Sequence, residues 1–177
     1  MALVVFLRGA NVGGHRTFRP STLAGQMRHL GAVNIGAAGT FVIRRPVGRV
    51  LLRREFAERL PFDAQMTICR GQEIVELLSR DFFQDRRIRR DIVRFVSVLS
   101  RLPRTFPLLP LDIPSNGNWL VRILARENRF VVGLYRRRMK VIGTLGTLDR
   151  VFGVPVTTRN WNTFHAIGRA LASRGPS

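Results

Sequence analysis

The order of strand-like and helix-like patterns in the first 70 residues constrains the fold of this chain more than any other feature. Apolar, β-prone runs predict strands at residues 2–8, 33–37, 40–45 and 64–70. Helical spacing of apolar residues predicts one helix after the first run and a second, over residues 47–60, before the fourth. This β-α-β-β-α-β order is that of the split βαβ, or ferredoxin-like, motif.

The helix patterns also assign roles to single residues. Ser21 is predicted to cap the N-terminus of the first helix. In the second helix, Val50 and Leu51 are predicted to point toward the core, and Arg54 with Glu58 to form an ion pair on the exposed side.

The second half of the chain roughly repeats this order, without sequence identity to the first half. Strands are predicted over residues 92–99, 119–125 and 129–135, and helices over residues 141–152 and 161–172. A loop with four prolines stands where the first helix of the pattern would be.

We therefore predict an α+β fold of two ferredoxin-like subdomains packed into one compact protein. The first half is assigned to residues 1–80 and a charged linker to residues 81–90. The second half, with the C-terminal helix, is assigned to residues 91–177.

The chain is strongly basic, with 30 basic and 11 acidic residues and a formal net charge of +19. A charge of this size favours polyanionic partners such as RNA or DNA. Lys140 is the only lysine, however, and the arginines are spread along the chain, which also fits a solvated arginine-rich surface. Composition alone leaves both explanations open.

Neither a membrane nor an oxidising compartment is indicated. No apolar run approaches the roughly 18 residues of a transmembrane helix. The N-terminal apolar run also lacks the basic flank of a signal peptide. Cys69 is the only cysteine, so no internal disulfide can form. We expect a soluble, cytoplasmic protein with no membrane partner.

Two polar segments are candidate ligand sites. A glycine-rich loop, residues 8–14 (RGANVGG), follows the first strand, and residues 157–163 (TTRNWNT) precede the last helix. Their backbone N–H groups, amides and guanidinium groups are donors suited to a phosphate or a carboxylate. We predict that the two segments approach each other and hold an anion through Arg8, Gly9, Asn11, Gly13, Gly14, Arg16, Thr158, Arg159, Asn160 and Asn162.

Both segments also have purely structural explanations. The glycines suit positive φ or close packing, Asn160 suits a helix cap, and Trp161 suits an anchor in the core. The loop has the glycine spacing of a phosphate-binding P-loop, but His15 and Arg16 stand where lysine and serine or threonine are required. A nucleotide-hydrolysing P-loop is therefore not expected.

Aromatic residues offer one further route to nucleic acid. Phe6 and Phe41 occupy strands comparable to those whose aromatic side chains stack bases in RNA-recognition modules. The alternative is that both side chains are buried, in which case they serve packing only.

No catalytic or metal-binding constellation emerges from the sequence. His15, His29 and His165 have no metal-ligand spacing with one another or with Cys69. Cys69 lies in a β run, which favours a small core residue over a nucleophile. We predict no metal and no cofactor, and binding rather than catalysis.

Three segments together resemble a known family. Residues 5–14 (VFLRGANVGG), 30–42 (LGAVNIGAAGTFV) and 154–164 (VPVTTRNWNTF) look like the signature segments of the bacterial domain-of-unknown-function 1697 family. The resemblance implies two ferredoxin-like subdomains in one α+β protein. It implies no established activity, because the family is functionally uncharacterised. Where the family usually has Ser-Gly-Asn in the hairpin, this chain has Ala38-Gly39-Thr40.

The residues leave two functions open. The first is a non-catalytic protein that binds a polyanion, RNA or DNA, over a continuous basic face. The alternative is a small-molecule binding protein or enzyme that holds a phosphate or carboxylate in a concave pocket lined by Arg8, Asn11 and Arg159. Replacing a surface arginine such as Arg137 tests whether binding is only diffuse attraction.

Overall fold

A computed structural model of the chain describes residues 1–11, 14–83 and 89–173. The chain divides into two compact units. Unit 1 comprises Met1–Leu78 with Thr163–Ser177, and unit 2 comprises Ser79–Asn162. The division falls just before the predicted linker, of which residues 84–88 lie outside the described residues. The C-terminal helix, which we predicted as part of the second half, groups with unit 1 from Thr163 onward.

The described elements follow the predicted order closely. They are β1 (Leu3–Arg8), α1 (Pro20–Gln26), β2 (Ala32–Ile35), β3 (Thr40–Ile43), α2 (Arg49–Arg59), β4 (Gln65–Arg70), α3 (Gly71–Leu78), β5 (Ile92–Leu99), β6 (Leu111–Ile113), β7 (Val121–Glu127), β8 (Phe130–Arg136), α4 (Val141–Gly146), α5 (Leu148–Phe152), β9 (Val156–Asn160) and α6 (Trp161–Ala172). Among the described residues, no helix is both long and apolar enough to span a membrane.

Unit 1 has an antiparallel four-stranded sheet in the order β2-β3-β1-β4. The apolar side chains of β1 alternate between its two faces, because successive residues of a strand point in opposite directions. On one face Val5 and Phe41 form a core with Leu52 and Phe56 of α2. On the other face Phe6 stacks on Phe164 of α6, with the ring centroids 5.6 Å apart.

This packing decides the role of the two candidate base-stacking residues. Phe6 and Phe41 are both fully buried, so neither ring is available to stack a base. Cys69 is likewise fully buried, which confirms its prediction as a core residue.

Two helix predictions are wrong in their boundaries. The first helix begins at Pro20 itself and not after a Ser21 cap, because the fixed φ of proline suits the first helical position. The predicted helix over residues 141–152 is two short helices, α4 and α5, which meet at Thr147. Gly146, directly before this junction, weakens a continuous helix.

The predicted inner face of α2 is wrong at Val50 and Leu51, whereas Leu60 at its C-terminal end is buried as predicted. Val50 and Leu51 are 84% and 50% exposed, and Leu52 and Phe56 point into the core instead. The predicted exposed pair is confirmed: Arg54 Nε donates to the Glu58 carboxylate at 2.6 Å.

Unit 2 has an antiparallel five-stranded sheet in the order β6-β7-β8-β5-β9. If β6 is left aside, the strands β5, β7, β8 and β9 take the positions in this sheet that β1, β2, β3 and β4 take in the sheet of unit 1. The order β7-β8-β5-β9 therefore matches the order β2-β3-β1-β4. The proline-rich loop, with β6 inside it, takes the place of the first helix. The repeat that the sequence pattern predicted therefore extends to the strand order.

One face of the unit 2 sheet packs against α4, α5 and the proline-rich loop. Its core includes Phe95, Ile123 and Val131 from the strands. Gly133 lies at the crowded centre of this sheet. A Cβ atom there would be 2.4 Å from the Arg122 carbonyl oxygen and 2.8 Å from the Phe95 ring. Only glycine fits at this position without a shift of the backbone.

An arginine–tryptophan cluster fixes the β6 edge of this sheet. Asp112 of β6 accepts hydrogen bonds from Arg122 Nε at 2.6 Å and Arg122 Nη2 at 2.7 Å. The Cζ atoms of Arg122 and Arg136 each lie 4.5 Å from the ring centroid of Trp119. The hydrogen bond from Arg122 lowers the pKa of Asp112, so the carboxylate stays charged further into acid.

Replacing Asp112 by asparagine should destabilise the protein at neutral pH and much less in acid. The folded state lowers the pKa of Asp112 below the ~3.9 of an unfolded chain. Its charge therefore stabilises the fold above about pH 4, and this stabilisation is lost as the pH falls through the folded-state pKa. At pH 7 we expect the free energy of unfolding, measured by urea denaturation, to fall by about 1 kcal/mol.

The exposed pair of Arg54 and Glu58 provides the control for this measurement. Glu58→Gln should change stability little, because exposed ion pairs contribute little. Asp112→Asn is also measured in the most acidic buffer in which the protein stays folded. If it lowers the free energy of unfolding there as much as at pH 7, the charge of Asp112 does not cause the loss of stability.

Candidate functional site

A pocket of about 320 Å³ opens at one end of the unit 2 sheet. Strand β5 starts at this end, whereas β8 and β9 finish there. Because β5 lies between these two strands and is antiparallel to both, its first residues lie beside the last residues of each. The described lining residues are Ile92, Val93, Arg94, Arg137, Asn160, Trp161 and Asn162.

The lining residues reach the pocket from both sides of β5. Arg137 follows β8, and its backbone N–H donates to the Asp91 carbonyl at 2.7 Å. Asn160 is the last residue of β9 and pairs with Phe95. The chain passes directly from β9 into α6, so Trp161 and Asn162 belong to the first turn of this helix.

Aromatic packing positions Trp161 and Arg94 beside the pocket. The indole of Trp161 packs edge-on against Phe82 and Phe83, with ring centroids 6.4 Å and 5.3 Å apart. The Cζ atom of Arg94 lies 4.8 Å from the ring centroid of Phe83, which is a cation–π distance. The ring of Phe83, which belongs to the predicted linker, therefore packs against both Trp161 in the pocket wall and the guanidinium group of Arg94.

The pocket is positively charged and has no acidic residue among its described lining residues. Arg94 is half-buried and Arg137 is exposed. The Nε atom of Arg94 is enclosed and has no hydrogen-bond acceptor among the described residues. Enclosing part of a charge without a partner is costly. The arrangement therefore favours an anion beside these two guanidinium groups.

The structure divides the second polar segment between the pocket and the sheet. Asn160 and Asn162 line the pocket. Thr158 instead shares a hydrogen bond with Ser97, with 2.7 Å between the hydroxyl oxygens. Arg159 Nη1 donates to the Thr158 carbonyl at 2.9 Å. Burial lowers the pKa of Arg159 to about 10, so this side chain remains charged at neutral pH.

The first polar segment is tied into unit 1 by hydrogen bonds. Arg8 Nη1 donates to Gln65 Oε1 at 2.7 Å. Asn11 Nδ2 donates to the Ala37 carbonyl at 2.9 Å, and Asn11 Oδ1 accepts from the Phe18 N–H at 2.9 Å. The Asn11 amide thus joins the loop to the turn between β2 and β3, as the structural explanation requires.

Backbone geometry also explains part of the glycine content of this loop. Gly9 and Gly14 have positive φ angles of 67° and 75°, which glycine adopts without strain. Arg16 is exposed, and Gly13 lies outside the described residues. Anion binding by the loop stays a prediction. So does its approach to the second polar segment, because the loop belongs to unit 1 and residues 157–162 belong to unit 2.

Sequence reasoning missed the two arginines of the pocket. Arg137 was chosen as a surface arginine for comparison, and it is exposed, but it also lines the pocket and cannot serve as a control. Arg94 received no role, although a charged residue inside an otherwise apolar strand pattern was a usable signal.

Metal ligation finds no geometric support among the described residues. No group of three or more His, Cys, Asp or Glu side chains lies close enough there to hold a metal ion. The capping of α6 by Asn160 stays a prediction.

The chain is similar in structure to a conserved bacterial protein from Streptococcus pneumoniae. The TM-score is 0.58 at 16% sequence identity, and the match covers 96% of this chain and 98% of that chain. At this identity the similarity shows the fold alone, and it agrees with the predicted α+β fold of two subdomains. No family model matches the chain, and no curated protein matches it.

Proposed function

We propose that unit 2 binds a small oxyanion ligand, a phosphate or a carboxylate, in the pocket at the start of β5. The observation that carries this proposal is the pair of guanidinium groups, Arg94 and Arg137, in a pocket with no acidic residue among its described lining residues. An anion there would receive charge-assisted hydrogen bonds, which are stronger than bonds between neutral groups.

The environment of Arg94 supports an anion rather than a neutral ligand. Its guanidinium is held on the Phe83 ring and is partly removed from solvent. A nearby negative charge would offset the cost of that desolvation, and the attraction is stronger in a half-buried site than in bulk water.

The other walls suit a small ligand with polar groups beside its charge. The amides of Asn160 and Asn162 can each donate and accept hydrogen bonds. Ile92 and Val93 contribute apolar surface. The volume of about 320 Å³ lies at the lower end of the range for small-molecule sites, which favours a compact ligand.

The proposal is for binding and not for catalysis. The described lining residues include no histidine, cysteine, serine, aspartate or glutamate, which are the usual nucleophiles and proton carriers. For the fold family, we propose two ferredoxin-like halves within the domain-of-unknown-function 1697 family. The strand order of the two units and the three resembling segments support this assignment.

Replacing either pocket arginine should weaken the binding of a small oxyanion. We expect Arg94→Met and Arg137→Gln each to lower the affinity for inorganic phosphate or succinate roughly 10- to 100-fold, the loss of one charged hydrogen bond. Isothermal titration calorimetry would measure both probes. The matched control is Arg138→Gln, which removes the same charge from the next residue along the chain and should change the affinity less than about twofold.

The same three variants distinguish this site from polyanion binding, which the +19 charge favours. If the protein binds single-stranded RNA through diffuse charge, log K should fall by roughly 0.7 per contacted phosphate for each unit of log salt. All three substitutions should then weaken RNA binding about equally. Equal small effects on phosphate, succinate and RNA would contradict the pocket and leave non-specific attraction.

A further inference from the structure

We propose that unit 2 docks on anionic lipid membranes through an exposed surface that combines aliphatic and basic side chains. This inference goes beyond the proposed function and uses different side chains from the pocket. We call its two groups of residues, one in the turn before α4 and one in the proline-rich loop, the docking surface. Its members are Arg101, Leu102, Arg104, Leu108, Arg138, Met139, Lys140 and Ile142.

The turn before α4 is the best-defined part of the docking surface. Met139 is 96% exposed and Ile142 is 75% exposed. Val141, between them, is buried in the unit 2 core and holds the turn against the sheet. The exposed cations Arg138 and Lys140 flank Met139 on either side. Two large apolar side chains are therefore held in solvent beside two positive charges.

The proline-rich loop adds a second part with the same composition. Leu108 is 92% exposed and Leu102 is 59% exposed. Phe106 of this loop stacks on Phe152 of α5, with ring centroids 5.2 Å apart. The loop and the two short helices thus belong to the same layer, on one face of the sheet.

The chemistry of these side chains favours lipid over the other polyanions. Single-stranded nucleic acids gain affinity by stacking bases on aromatic rings, and none of the strongly exposed large hydrophobic residues among those described is aromatic. Aliphatic side chains gain free energy instead by entering the acyl boundary of a bilayer. Neither residues 101–110 nor residues 137–142 contain an acidic residue, so nothing in these segments repels anionic headgroups.

Docking of this kind requires no helix that spans the bilayer, and it departs from the expectation from the sequence that the protein has no membrane partner. The aliphatic side chains would enter the headgroup region, while the arginines and Lys140 remain beside the phosphates and carboxylates of the lipids. A single short insertion binds weakly, so the positive charges must act together with the aliphatic side chains.

The test is the partition of the full chain onto vesicles at about 0.15 M salt, where long-range attraction is screened. Vesicles of phosphatidylcholine are compared with vesicles that also contain phosphatidylserine. We expect binding to the anionic vesicles only. Met139→Ser with Ile142→Ser, which keeps every charge, should lower that binding about tenfold. Arg138→Gln with Lys140→Gln, which keeps the aliphatic side chains, should also lower it about tenfold.

The control removes two exposed aliphatic side chains elsewhere. Val50→Ser with Leu51→Ser, on α2 of unit 1, should change vesicle binding less than about twofold. The proposal is overturned if the wild-type protein does not bind anionic vesicles, or if Met139→Ser with Ile142→Ser binds them as well as the wild type. Loss of single-stranded RNA binding in that variant, without any vesicle binding, would assign the surface to RNA instead.

Discussion

Gly133→Ala should lower the free energy of unfolding by about 3 kcal/mol or more. The new methyl group would lie 2.4 Å from the Arg122 carbonyl oxygen and 2.8 Å from the Phe95 ring. The carbonyl belongs to β7, the strand next to β8, so it cannot retreat without disturbing the sheet. The ring belongs to the unit 2 core, where close packing leaves little room for adjustment.

A second glycine in the same unit provides the control. Gly143 lies inside α4, and a Cβ atom there would meet nothing within 4 Å. Gly143→Ala should therefore stabilise the protein slightly, by up to about 1 kcal/mol, because alanine favours helix. Urea denaturation of both variants measures the difference. If the two substitutions have similar effects, the crowding around Gly133 is not significant.

Phe41→Ala should lower the free energy of unfolding by about 3–5 kcal/mol. Phe41 is fully buried in unit 1. Its ring packs edge-on against Phe56, with centroids 5.3 Å apart, and lies 6.4 Å from Phe18. Truncation would leave a cavity between the sheet and α2 that these rigid rings cannot fill.

The control for Phe41→Ala is a substitution at an exposed residue of α2, the helix that packs over Phe41. Val50→Ala should change stability by less than about 0.5 kcal/mol, because Val50 is 84% exposed. Phe41→Leu retains part of the buried area and should cost less than Phe41→Ala. A cost below about 1 kcal/mol for Phe41→Ala would contradict its role as a core residue.

The strands other than β6, which lies in the predicted proline-rich loop, were predictable because each is a short apolar or extended run bounded by turn residues. The spacing of apolar residues did not predict the buried face of a helix correctly where two faces of that helix carry apolar side chains. In α2, Val50 and Leu51 compete with Leu52 and Phe56 for the inner position. The large ring of Phe56 buries more apolar surface, so the helix turns that side toward the core.

The sequence predicted only part of the pocket, and the reason differs from the one that applies to α2. Asn160 and Asn162 were identified because they stand together in the chain. Arg94 and Arg137 are far apart in sequence and come together because β5 lies between β8 and β9. The predicted ferredoxin-like order implies this arrangement of strands, but the spacing of residues along the chain does not show which side chains share one pocket, so Arg94 and Arg137 were found only in the structure.

The discontinuity of unit 1 has a consequence for synthesis on the ribosome. Its first 78 residues emerge first, but the helix that supplies Phe164 against Phe6 is made only after all of unit 2. Multidomain chains usually fold from the N-terminal domain onward. In this protein unit 2 is the first unit whose residues are all translated, and Phe6 of β1 lacks its Phe164 contact until α6 has been made. A nascent-chain chaperone that covers exposed aromatic side chains would therefore be able to cover Phe6 only until α6 has been made.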